Sequence, residues 1–231
     1  MAHREHAGLV VSPLYMGLAI LFVTCLLISN LIAGKLIFVF GLVLPAAVIL
    51  FPVTYIFGDV LTEVYGFKGS RLIIWMGFAA NLFMALVFIA VLALPYPSFW
   101  DGQPAYQSVL GTTPRIVLAS LLGYLAGEFA NSMVLSWLKV ATGGKWLWVR
   151  TVGSTVVGQG IDTLLFISIA FSGTVPWGVL GQMVLAQYIW KVAYEASATP
   201  LTYMVVGWVK RKEGLDTYDY GVKYNPFGLG V

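Results

Sequence analysis

Apolar positions along the chain gather into six long runs, and nearly every run carries polar side chains at helical intervals. The runs cover 14–33, 42–64, 72–94, 114–138, 151–172 and 180–209. Residues 72 to 94, LIIWMGFAANLFMALVFIAVLAL, contain no charge, and only Asn81 could hydrogen-bond strongly among them. A bilayer core of about 30 Å needs roughly 20 helical residues, so a run of this length predicts a transmembrane helix. The last run exceeds a straight crossing, and Pro200 within it predicts a kink. Turns are expected at Gly41, Tyr65-Gly66, from Pro95 through Thr112-Thr113, at Gly143-Gly144 and from Gly173 to Gly178. The first run is too long for a signal-peptide core and is expected to be retained.

Composition agrees with that pattern: 59% of residues are hydrophobic and 10% charged, against roughly a quarter charged in soluble domains. The predicted class is an all-α integral membrane protein, one membrane domain over 1–231 with six transmembrane helices and a tail from 210 to 231. The single Cys25 lies inside the first run and reads as a small packing residue.

Lysine and arginine decide the orientation, because positive loops stay on the cytoplasmic side. With both termini cytoplasmic, Arg4, Lys68, Arg71, Lys139, Lys145, Arg150, Lys210, Arg211, Lys212 and Lys223 fall inside. Lys35 and Arg115 then lie near the outer face, and Lys191 is buried. The opposite orientation would export five loop cations. The net charge of +3 therefore reflects topology rather than a nucleic-acid surface.

Chemistry has to be sought in the polar residues within the runs, where each is expensive unless it meets a partner or a cavity. In the fourth run Ser120, Tyr124, Glu128 and Asn131 share a helical face, as do Thr155, Gln159, Asp162 and Phe166 in the fifth. Gln187, Lys191 and Glu195 form a third such face in the sixth. Counting from the helix ends puts Asn81, Glu128, Asp162 and Lys191 near mid-depth, which predicts a shared polar pocket. The bland alternative pairs Lys191 with Glu195 one turn away and lets Asn131 and Gln159 merely bridge helices. In the second run Tyr55, Asp59, Thr62 and Glu63 share a face toward the cytoplasmic end. Glu63 is expected to reach interfacial water. Asp59 lies about 6 Å deeper by helical rise, where a carboxylate pairs with Arg71 or Arg150, or takes up a proton; anchoring, gating and proton coupling stay open for Asp59, Glu63 and Glu195. Pro52 suits either a hinge or a packing role. Gly123 and Gly127 form a small-xxx-small pattern that lets a neighbouring helix approach. Trp100, Tyr106, Trp146 and Trp148 are expected in interfacial belts, and Tyr124, Phe166 and Tyr188 are placed to sandwich a flat ligand.

Enzyme readings find no support. His3 and His6 are the only histidines and stand at the N-terminus, so no nucleophile in the bundle has a histidine base, and no metal site or catalytic group is predicted. TGGKW around Lys145 lacks the spacing of a phosphate-binding loop, so no cofactor or ATP hydrolysis is expected.

Six segments carry a family likeness: SNLIAGK at 29–35, FPVTYIFGDVLTEVYG at 51–66, RIVLAS at 115–120, VGSTVVGQGIDTLLFISIAF at 152–171, YIWKVAYEASATP at 188–200 and YDYGVKYNPF at 218–227. Together they resemble the queuosine-precursor transporter family, also called the vitamin-uptake-transporter-like family. The resemblance implies a six-helix inner-membrane importer of 7-cyano-7-deazaguanine or 7-aminomethyl-7-deazaguanine, related in fold to the S-components of energy-coupling-factor transporters. On that basis Asp162 or Glu128 would accept the ligand's N–H groups, and Lys191 or Gln159 would donate to its carbonyl. Asn81 or Asn131 would meet the nitrile or a ring nitrogen, with Tyr124, Phe166 or Tyr188 stacking on the ring. The alternatives are an S-type subunit that needs an ATPase partner and a non-transporting scaffold whose buried charges fix helix register. Expected partners are the deazapurine and membrane lipid, with no nucleic acid; monomer and homodimer both stay open. The tail from 213 to 227 is expected to pack back on the cytoplasmic face.

Overall fold

A computed structural model describes residues 11–32, 35–39, 42–111, 114–173 and 176–228. The expectations for His3, Arg4, His6, Ala33, Gly41, Thr112 and Thr113 lie outside those residues. The helices are α1 (Pro13–Ile32), α2 (Phe51–Ala93), α3 (Gln103–Leu110), α4 (Pro114–Ala141), α5 (Leu147–Phe171) and α6 (Trp177–Glu213). Four segments, in α1, α2, α4 and α5, are long and apolar enough to cross a bilayer by length and composition.

Two corrections concern the start of the second run. Leu42–Pro45, expected to open a helix, instead forms strand β2, which pairs antiparallel with β1 (Leu36–Val39) so that Leu36 faces Pro45 and Val39 faces Leu42. A 3-10 turn, Ala46–Ile49, follows, and α2 begins at Phe51 with Pro52 in its first turn, where a missing N–H does no harm. The description all-α is thus amended to helical with one short hairpin. A short apolar strand and a buried helical turn have the same local pattern, which is why the run misleads.

α2 contains the second apolar run from Phe51 on and the third as far as Ala93, joined at Gly66, whose φ of 76° and ψ of 177° are not helical. The two limbs run antiparallel. Ser132 on α4 touches Thr62 at 3.1 Å and Ser70 at 2.5 Å, one from each side of the break. Tyr15 near the start of α1 packs edge-on against Tyr65 and donates to the Gly69 carbonyl, while Asn30 near its end reaches Asn81. Phe22, midway along α1, lies beside Gly58 on the first limb.

The tail closes this hairpin. Asp219 accepts the Phe67 N–H at 2.8 Å, capping the second limb where its first amides would otherwise be unpaired. The same carboxylate accepts the Ser136 hydroxyl, and the Thr217 N–H donates to Val64. Further along, Arg71 donates to the Asn225 carbonyl and Trp75 to that of Pro226 at 2.8 Å. The YDYGVKYNPF segment is therefore a strap across the Tyr65-Gly66 turn.

The turns at Gly143, Gly144 and Gly173 fall where expected, each with positive φ. α6 starts earlier than its apolar run and continues through Pro200 to Glu213. α3, in the segment after Pro95, has no counterpart in the hydrophobic pattern. α4 and α5 meet closely: a Cβ on Gly127 would lie 2.6 Å from the Asp162 Cβ, and one on Gly158 would lie 2.7 Å from that of Asn131. The small-residue pattern thus marks this contact.

Besides a buried apolar core that includes Phe22, Leu61, Phe67 and Val209, the molecule exposes many large apolar side chains and buries much of its polarity. Ile20, Phe83, Leu86, Leu118, Leu164, Leu185, Ile189 and Met204 are exposed, while Asp59, Glu63, Asn81, Arg150, Thr163, Glu195 and Thr202 are buried. In water that arrangement would be unstable; in lipid it is the expected one.

Candidate functional site

Buried polarity forms two groups. The first lies where α2 breaks and joins α4, α5, α6 and the tail. Glu63 has no exposed surface, and its Oε1 receives Arg150 Nη2 and Lys210 Nζ, each at 2.7 Å, while Arg150 Nε reaches Oε2 at 3.2 Å. Lys139 donates to the Glu63 backbone carbonyl, to Asp216 at 2.5 Å and to the Thr217 carbonyl at 2.7 Å. Lys210 also meets Asp216 at 2.9 Å, and Tyr218 lies against the Lys139 ammonium. Burial pushes the Asp216 carboxyl up, but the Lys139 and Lys210 ammoniums override it and leave it below its ordinary value. Glu63 therefore does not reach interfacial water as its position suggested. It is the hub of a staple that ties three helices and the tail to the first limb of α2. Arg71 and Arg150, the expected partners of Asp59, are engaged with Asn225 and Glu63 instead.

The second group lies deeper and draws on the same helices. Asp162 on α5 and Lys191 on α6 pair at 2.5 Å, so the lysine prefers the neighbouring helix to Glu195 on its own. Asn131 Nδ2 donates to Asp59 Oδ1 at 3.0 Å, and the Tyr55 hydroxyl donates to Gln159 Oε1 at 3.1 Å. Both amides thus bridge helices, as the bland reading allowed. Glu128 lines a small recess with Phe22, Gly58, Thr62, Ser70, Ile73 and Ser132. At about 10 Å³ this cavity has room for roughly one water, whereas sites for drug-sized ligands run to about 300–1,000 Å³. The centre is therefore shut at Glu128.

The remaining candidates are more scattered. Asn81 pairs with Asn30 at 2.7 Å between α1 and the second limb of α2. Tyr124 donates to the Ile74 carbonyl at 3.1 Å, Tyr188 to the Val156 carbonyl at 3.2 Å, and Phe166 packs edge-on against Phe171. Among the described residues no ring contact joins Tyr124, Phe166 and Tyr188 to one another, so an aromatic sandwich is not assembled here. Residues that the pattern did not single out include Asn30, the Ser70 and Ser132 hydroxyls and the Asp216 and Asp219 carboxylates. Two aspartates close together in a short tail after a basic helix end were the available signal for the last pair.

The second group also contains atoms with nothing to bond. Both oxygens of Glu195, Oδ2 of Asp59 and Oδ1 of Asn131 are buried without a hydrogen-bond partner among the described residues. Native proteins leave few such atoms, and they mark places where a ligand, ion or water is needed.

An apolar jacket around helices that bury unsatisfied polar groups defines a multi-pass membrane protein. The chain belongs to the family described as "Putative vitamin uptake transporter", whose model matches residues 45–205. It is similar to a protein of Bacillus subtilis (strain 168) named "Probable queuosine precursor transporter", at 30% identity over 76% of this chain and 77% of the relative. It also matches the "Queuosine precursor transporter" of Escherichia coli (strain K12), at 29% identity over 52% of each. No solved structure matches.

Proposed function

We propose that the protein imports a queuosine precursor, 7-cyano-7-deazaguanine or its 7-aminomethyl counterpart, across a bacterial inner membrane by alternating access to the deep polar group. In this reading α1, both limbs of α2, α4, α5 and α6 make six crossings, with both termini on the cytoplasmic side. The observation that carries it is the meeting of Asp162 with Lys191 at 2.5 Å between two helices, beside buried oxygens that lack partners. The names of the two relatives supply the substrate class.

A deazaguanine offers N–H donors on one edge and a carbonyl beside them. Asp162 would accept the donors through charge-assisted bonds, and Lys191 or Gln159 would donate to the carbonyl. To do so the Asp162–Lys191 pair must open, exchanging its own contact for two ligand contacts. The recess beside Glu128 holds about one water, so the ligand needs the helices to move before it fits there. Entry needs the helices to part on the side of Asn30 and Asn81, and release needs the Glu63 staple to loosen. Alternate loosening of these two ends would carry the ligand through.

The test is uptake of labelled deazaguanine by purified protein in liposomes. Asp162→Asn and Lys191→Ala are each expected to abolish uptake at unchanged membrane abundance. Normal uptake by either variant would remove that residue from the site. Failure of the parent chain to transport alone, while still binding, would make it a subunit that depends on an energising partner. A ligand-independent melting temperature would leave only a scaffold, since a ligand at 100 times its dissociation constant adds about 2.7 kcal/mol.

A further inference from the structure

Asp59, Asn131 and Glu195 together hold four oxygen atoms that no partner among the described residues satisfies. Glu195 is 0% exposed with both carboxylate oxygens unpartnered; Asp59 is 1% exposed with Oδ2 unpartnered; Asn131 is 9% exposed with its amide oxygen unpartnered. The Asn131 amide nitrogen donates to the other Asp59 oxygen at 3.0 Å, which ties α4 to α2 at this group.

Charge makes the shortfall sharper. The charged groups that act on Asp59 are Glu195 from α6, Glu128 from α4 and Glu63 from its own helix, Glu195 foremost. All are acids. Around Glu128 the charged groups are Asp162, Lys191 and Glu195, and Lys191 is already committed to Asp162 at 2.5 Å. Glu63, for its part, is saturated by Arg150 and Lys210. An uncompensated carboxylate held away from water is among the most expensive arrangements a protein can contain.

A neutral heterocycle could supply hydrogen-bond donors to this group, but no charge. A primary ammonium supplies three N–H donors and one positive charge from a single small headgroup. It would bond at a time to three of the four free oxygens, through the stronger, charge-assisted kind of bond. We propose that Asp59, Asn131 and Glu195 form a cradle for a primary ammonium on the carried ligand, which selects an aminomethyl substituent over a nitrile. The proposal rests on the transport reading above, and it assigns a role that the Asp162–Lys191 pair cannot fill. That pair contains its own cation and meets the guanine-like edge. The acid cradle then receives the substituent at the far side of the ring.

The experiment is equilibrium binding of 7-aminomethyl-7-deazaguanine and of 7-cyano-7-deazaguanine to the full-length purified protein in detergent. The amine is expected to bind at least about ten-fold tighter, the effect of one hydrogen bond between charged groups. In Glu195→Gln, an isosteric change that keeps the packing, that ratio should collapse to about one. Asp59→Asn should shrink it in the same direction and guards against a fold defect in the first variant. Equal affinity for the two ligands in the parent protein overturns the cradle while leaving transport intact. So does an amine preference that survives both variants. A sodium-dependent rise in melting temperature without deazapurine, lost in Glu195→Gln, would assign these oxygens to an inorganic ion and also overturn it. Binding of neither ligand would sink the cradle together with the transport reading, an outcome that liposome uptake detects separately.

Discussion

Replacing Glu63 by Gln removes one negative charge from a site with no exposed surface and leaves its partners in place. In the parent chain two carboxylates, Glu63 and Asp216, face three cations, Lys139, Arg150 and Lys210. After Glu63→Gln a single, partly exposed carboxylate faces the same three cations. Lys139 and Lys210 keep Asp216, but Arg150, 1% exposed, is left with only the Lys145 carbonyl and a long contact to Thr142. Breaking a buried pair from one side destabilises by about 3–5 kcal/mol. The glutamine oxygen can still accept one bond, which favours the lower end of that range. At roughly 2–4 °C per kcal/mol for a chain of this size, the apparent melting temperature should fall by about 6–12 °C. Intrinsic tryptophan fluorescence of the detergent-solubilised protein reads the transition. Arg150→Met should cost a similar amount, because it leaves the Glu63 carboxylate short of its bidentate partner. The double variant restores the balance of the staple to one acid against two cations, and it should be less destabilised than the sum of the singles by more than about 1 kcal/mol. A Glu63→Gln protein that melts with the parent, or strict additivity in the double, would show that the staple contributes nothing as a unit.

Gly66→Ala should destabilise by at least about 2 kcal/mol, since φ is 76° and the new Cβ would sit 2.8 Å from both Asp219 Oδ1 and Thr217 Cγ2. Limited trypsin digestion should then cut at Lys223, and an unchanged digest would refute the strap. Gly158→Val should force α5 from α4, because its Cβ falls 2.7 Å from the Asn131 Cβ and 2.8 Å from the Gly127 carbonyl oxygen. A loss of about 1–3 kcal/mol is expected, and a parent-like melting curve would refute the close approach. For Asp216 the folded carboxyl titrates below its ordinary value of 3.8, so its contribution is fully present above that pH and is lost only as pH falls through the lower folded value. Parent and Asp216→Asn should therefore differ by a constant amount between pH 5 and 8 (a window set by about one unit of margin) and converge under stronger acid. Convergence already near neutrality would contradict the pairing with Lys139 and Lys210.

The helical spans and most turns were legible because their signals are local. Long uncharged runs, Gly143-Gly144 and Tyr65-Gly66 each decide the backbone within a few residues. The Asp162–Lys191 contact was half legible: equal depth could be counted, but only packing could decide between Asp162 and Glu195 as the lysine's partner. The hairpin at 36–45 was hidden because its apolar residues continue into the run that follows. Glu63 was misread for a different reason. Nothing within ten residues of it, apart from the nearby end of its helix, hints at Lys139, Arg150 and Lys210, which arrive from three other helices. The tail was similar, since the value of Asp219 depends on the unpaired Phe67 amide on the far side of the sequence.

The two buried groups differ in how completely they are satisfied, and that difference separates their roles. In the Glu63 staple each carboxylate has at least two cations within 3 Å, and Lys139 also donates to two backbone carbonyls. Such a network holds one arrangement firmly. In the deep group oxygens are left over, so it gains most when something else arrives. The same four elements supply both: the first limb of α2 carries Asp59 and Glu63, α4 carries Asn131 and Lys139, α5 carries Asp162 and Arg150, and α6 carries Glu195 and Lys210. Asp59 and Glu63 stand one turn apart, on one face of one rigid limb. A ligand that draws Asp59 toward α6 would therefore displace Glu63 relative to Arg150 on α5, and a shift of 1 Å or so (small against the one-turn ratchets that interfaces can make) is enough to lengthen that 2.7 Å bond into a weak one. On the proposed transport reading, filling the deep group and disturbing the Glu63 staple are therefore coupled through this one limb.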